Sequence, residues 1–99
     1  MRMEITARHF ELSDPLKQLV DKWAQKLERF DERIVDCQVV MSVEKHRKVV
    51  EVLVNAHGHV LRGIHESHDM YLSVDGAFEK VEAQLKRLGD RLKDHRPGQ

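Results

Sequence analysis

Residues 37–56 read CQVVMSVEKHRKVVEVLVNA, and their period decides the fold. Cys37, Val39, Met41 and Val43 recur at every second position, and so do Val50, Val52, Val54 and Ala56. Alternation of this kind gathers one set of side chains on a single face of an extended strand. Between the two rows stands Lys45-His46-Arg47-Lys48, a polar tip that predicts a hairpin. The apolar face of that hairpin needs a cover, and the flanking sequence supplies one.

Upstream, Met3, Ile5 and Ala7 alternate with Glu4, Thr6 and Arg8, the pattern of a first strand with one buried face. Ser13-Asp14-Pro15 then opens a helix, with Ser13 as N-cap and Pro15 tolerated in the first turn. Leu16, Leu19, Val20, Trp23, Leu27 and Phe30 follow at helical spacing and predict a core-facing stripe ending near Phe30 or Asp31. Downstream, Gly58 marks a second turn before a short strand around Val60 to Glu66. Asp69 to Asp75 lead into a last helix with its seam at Phe78, Val81, Leu85, Leu88 and Leu92. The order is β-α-β-β-β-α. Two amphipathic helices and a sheet with one apolar face predict an α+β two-layer sandwich: a four-stranded sheet with both helices on one face. Residues 1–95 form one domain, and residues 96–99 a frayed tail.

Ninety-nine residues, 40% hydrophobic and 34% charged, are those of a soluble globular chain with one modest core. The apolar runs are too short to span a membrane, and Met1-Arg2 leads straight into the first strand without a signal segment, which predicts a cytoplasmic protein. The single cysteine, Cys37, lies on an apolar row and belongs to the core. His57, His59, His65 and His68 gather around the Gly58 turn and the last strand, but no HExxH motif or cysteine pair supports a metal site. Nothing assembles a nucleophile with a base, so the chain reads as a binding protein without cofactor, metal or small-molecule substrate, and as a monomer when free.

Charge balances at 17 basic and 17 acidic residues, but not locally. Lys80, Gln84, Arg87 and Arg91 fall in one row of the last helix at spacings of 4, 3 and 4, about 100° around from its seam. The acids Glu79, Glu82 and Asp90 lie on the other flank with Lys86 and Lys93. Lys22, Lys26 and Arg29 repeat the 4-3 spacing in the first helix, about 110° from its stripe. Such rows are commonly solvated flanks whose stems cover the core edge. Two acid-free rows of the same rotational sense instead predict a phosphate-binding surface, one row facing the groove between parallel helices and the other an outer edge, together making one broad basic surface.

The segment DMYLSVDGAFEKVEAQLKRLGDRLK (69–93) resembles the closing signature of the ribosome hibernation-promoting factors, also called ribosome-associated inhibitors or sigma-54 modulation proteins. The opening MEITARHFELSDPLKQLVDKWAQKLERF matches their first strand and helix, so the resemblance covers essentially the whole chain, and the chain is similar to the short type. It implies a ribosome-binding domain whose two helices contact small-subunit ribosomal RNA in the decoding channel. Occupation of that channel would inhibit translation and stabilise inactive ribosomes under stress or in stationary phase. Lys22, Lys26, Arg29, Lys80, Gln84, Arg87 and Arg91 would be the RNA contacts, and Arg8 matches a position that is often basic in the family. Ala83 and Gly89 depart from it, standing where relatives often carry Arg and Lys. The competing expectation is a protein-interaction module modulating transcription without ribosome binding. Val40, Val49 and Leu53, off the core rows, favour it by making the second sheet face partly apolar.

Overall fold

A computed structural model describes residues 1–94, with side chains described through Arg91. Its elements are β1 (Arg2–Arg8), α1 (Asp14–Phe30), β2 (Ile34–Glu44), β3 (Arg47–Ala56), β4 (His59–Ser67) and α2 (Met70–Asp94), the order the sequence predicts. The sheet runs β1-β2-β3-β4. β1 pairs parallel with β2, so α1 is the crossover between them, and the remaining two pairings are antiparallel. Both helices therefore return against the direction of β1 and β4, and they lie parallel to each other. The expected tail at 96–99 lies outside the described residues.

The period-two rows become the core as predicted. Cys37, Val39 and Met41 of β2 and Val50, Val52, Val54 and Ala56 of β3 are fully buried beneath Val20 and Leu27 of α1 and Val74, Ala77, Phe78, Val81 and Leu85 of α2. Ser13 caps α1, its hydroxyl accepting from the Leu16 N–H at 3.3 Å. The hairpin tip is shorter than the sequence implies: β2 runs to Glu44 and β3 starts at Arg47, leaving Lys45-His46 as a two-residue turn with Lys45 at φ 59°.

Two expectations need correction. Phe30 is not core: as the last residue of α1 it is 51% exposed, and Ala24 takes a buried place on the stripe instead. The lead-in after Asp69 is already helical from Met70, with the Asp69 carboxylate accepting from the Tyr71 N–H at 2.9 Å. Ser73 and Gly76, poor helix formers, are held there by tertiary contact. The buried Ser73 hydroxyl donates to the Lys48 carbonyl at 2.6 Å, and a Cβ on Gly76 would run into the His65 ring. Gly63 of β4 likewise has no room for a Cβ, because the carbonyl of Ala77 stands over it. These close approaches seat α2 directly on β4 and so fix where its polar row falls.

Candidate nucleic-acid interface

The two basic rows occupy opposite flanks of α2. From α1, the Lys26 ammonium reaches across the helix seam to Glu82 at 3.1 Å. Trp23, one turn earlier, donates its indole N–H to Asp75 at 2.8 Å and stacks on Phe78 with ring centroids 5.4 Å apart. Asp75, Phe78 and Glu82 thus mark the flank of α2 that faces α1. Lys22, Lys26 and Arg29 are exposed along the outer lip of that seam and, with Leu19 and Trp23, line an open groove.

The polar row of α2 faces away from α1, over the free edge of β4. Gln84 and Lys80 are engaged there with strand backbone: Gln84 bonds both backbone groups of Arg62, and Lys80 donates to the Ile64 carbonyl at 2.5 Å. Arg87 and Arg91, further along, line a second cleft with His59, Leu61, Gln84 and Leu88. Among the described residues Lys22, Arg29, Arg87 and Arg91 have no ion-pair partner. The expected split, one row at the groove and one at an outer edge, is what the geometry gives. One continuous basic surface is not, because the exposed mixed crest of α2, with Glu79, Lys86 and Asp90, lies between the strips.

Arg8 joins neither strip. It ends β1 in the alternation opposite to Met3, Ile5 and Ala7, on the sheet face away from the helices. That face also carries Val40, Val49 and Leu53, all partly exposed, with Val60 and Ile64 beside them at 70% and 41% exposure.

The histidines are dispersed. His57 Nε2 lies 2.5 Å from the Asp31 carboxylate, His65 packs beneath Gly76, and His59 belongs to the Arg87–Arg91 cleft. Among the described residues no three His, Cys, Asp or Glu side chains are grouped to hold a metal ion. Burial, helped by the charge of Asp36, pushes the Cys37 thiol up to about 12, which removes it as a nucleophile near neutral pH. No described helix is long and apolar enough to cross a membrane. What the surface offers chemically is cations and backbone-fixed donors suited to an extended anion.

Sequence reading missed the cross-links of the seam. Trp23 and Phe78 are legible as core residues, but their stacking is not, nor is the use of Asp75 and Glu82. The available signal was two carboxylates flanking Phe78 at i−3 and i+4 on the flank beside the core.

Comparison with known proteins bears on this arrangement. The ribosome hibernation promoting factor of Salmonella typhimurium is 34% identical over 95 residues, 96% of this chain and the whole of that one. A ribosomal subunit interface protein from Coxiella burnetii superimposes with a TM-score of 0.83 at 26% identity, over 91% of this chain and 99% of that one. The N-terminal domain of Thermus thermophilus Protein Y gives 0.81 at 27% identity, over 89% and 99%. The family model described as sigma 54 modulation protein / S30EA ribosomal protein matches residues 3–93, and with that span of the fold accounted for, the chain belongs to this family.

Proposed function

We propose that this protein binds the RNA of the small ribosomal subunit in the decoding channel, inhibits translation by occupying it, and holds ribosomes inactive under stress or in stationary phase. Family membership and relatives named as ribosome hibernation promoting factors support the ribosome as partner. The observation that carries the RNA contact is the pair of exposed basic strips, in which Lys26 is held by Glu82 while Lys22, Arg29, Arg87 and Arg91 are unpaired among the described residues. Unpaired cations on a chain of zero net charge can be spent on phosphate without first breaking internal pairs. Lys26 joins them by exchanging Glu82 for phosphate, and Lys80 keeps two further N–H groups beyond the one used on Ile64. Gln84 contributes by holding the helix flank in place. The protein acts by binding, as a single copy, and carries out no reaction.

The test is sedimentation with purified small subunits and whole ribosomes over a salt series, comparing wild type with Arg87→Glu. Association that weakens steeply with salt, and more for Arg87→Glu, is the expected result. Equal co-sedimentation of both proteins at every salt would sink the α2 assignment.

The competing module reading draws on the outer sheet face with Val40, Val49, Leu53, Val60 and Ile64. A largely apolar protein contact there would be nearly indifferent to salt, so the same series separates the two.

A further inference from the structure

The lip of α1 holds more than charge. Leu19, Lys22, Trp23, Lys26 and Arg29 line an open groove of about 310 Å³. A neighbouring groove, lined by Pro15, Gln18, Leu19, Lys22 and Tyr71, shares Leu19 and Lys22 with it, so the two form one trough along the helix seam. The trough carries two aromatic rings, Trp23 and the 42% exposed Tyr71, beside three cations. Both carboxylates of α2 that reach this seam are occupied, Asp75 by the indole N–H and Glu82 by Lys26.

Trp23 is held flat and fixed. Phe78 lies against one face at an interplanar angle of 8°, and the Asp75 hydrogen bond sets the rotation of the ring. Over the ring, 4.7 Å from its centroid, sits the ammonium of Lys26. The outer face of the indole is therefore covered by a side chain that is itself 55% exposed and has phosphate as an alternative partner.

We infer that Trp23 is a stacking platform for one base of an unpaired RNA strand whose phosphates lie on Lys22, Lys26 and Arg29. The inference rests on the RNA-binding reading above and assigns that surface its ligand class. On binding, Lys26 leaves Glu82 and the indole for a phosphate, and the adjoining base takes the vacated ring face. A half-exposed ion pair and a half-exposed cation–π contact are each modest, whereas a base–aromatic stack together with a phosphate contact gains more, so the exchange favours RNA. Duplex RNA cannot use the platform, because its bases are already stacked on one another.

Trp23 is the only tryptophan in the sequence, so indole emission reads the platform directly. The full chain is titrated with a short single-stranded RNA and, in parallel, with inorganic polyphosphate, which offers phosphate without bases. RNA is expected to quench the emission at saturation, whereas polyphosphate, which draws Lys26 off the ring but has no base to stack, should not quench it. Trp23→Leu should bind the RNA about tenfold more weakly with its polyphosphate affinity intact, and Trp23→Phe should recover most of the loss. RNA binding without quenching, equal quenching by both polyanions, or small-subunit sedimentation with no binding of the short RNA overturns the platform and leaves ribosome association standing. Failure of the wild type to sediment with small subunits overturns both. The emission titration uses the unaltered chain, so it decides the matter even if a variant folds poorly.

Discussion

Gln84 holds Arg62 by both backbone groups: its side-chain N–H donates to the Arg62 carbonyl at 2.6 Å, and its side-chain oxygen accepts from the Arg62 N–H at 3.3 Å. One turn earlier, Lys80 donates to the carbonyl of Ile64. Both strand residues lie on β4, an edge of the sheet, where alternate backbone groups point outward with no neighbour. The amide of Gln84 stands in for the peptide of a fifth strand. Two positions of the polar row of α2 therefore serve the sheet as well as any ligand.

Gln84→Leu is expected to lower stability by about 0.5–1.5 kcal/mol, the net worth of such hydrogen bonds, and to raise the tendency to self-associate through the uncovered edge. Thermal denaturation and light scattering measure the two effects. Unchanged values in both would show that water caps β4 equally well.

Arg87 and Arg91 make no ion pair among the described residues, so Arg87→Glu with Arg91→Glu should alter stability by no more than about 0.5 kcal/mol. The logarithmic salt dependence of small-subunit binding should flatten by about one for each phosphate that is no longer neutralised. A wild-type slope in the double variant would place this cleft off the RNA.

Asp31 sets part of the acid limit of the fold. Burial alone raises its carboxyl, but hydrogen bonds from His57 and the Arg33 N–H, with the charges of those residues, outweigh it and hold the group below its ordinary 3.8. A carboxylate lowered in this way stabilises the fold above its unfolded pKa and loses that contribution as pH falls through the folded value. Between pH 6 and about pH 3 the melting temperature of wild type should therefore fall further than that of Asp31→Asn. Parallel curves over this window would remove the pair from the acid limit.

Cys37 is fully buried, with its thiol pushed up to about 12. An aromatic disulfide reagent at pH 8 should leave the native protein unmodified and label it rapidly in denaturant. Prompt labelling of the folded chain would mean that β2 opens locally.

The strands and α1 were legible because their signals are local. Val50, Val52 and Val54 state a period, and Ser13 with Pro15 states a helix start. The beginning of α2 was not, because Ser73 and Gly76 argue against a helix until the Lys48 carbonyl and the His65 ring are placed beside them. Phe30 continues a helical stripe past the last point where the core can take it up. The basic rows were legible as rotations about each helix axis. Their surroundings were not: a period says which way Lys26 points, but not that Glu82 waits there, nor that Gln84 meets an open strand edge.

The mixed crest of α2 makes that helix a gauge. A straight polyanion can follow the α1 strip or the β4 strip, but its axis cannot touch both across a rod about 10 Å thick. Only a concave ligand, with phosphates on two walls, meets Arg29 and Arg87 together. If the proposed RNA contact holds, selectivity would come from the width of a cleft rather than from the number of charges, and a chain with 17 bases and 17 acids would pass over most nucleic acid yet seat in one place.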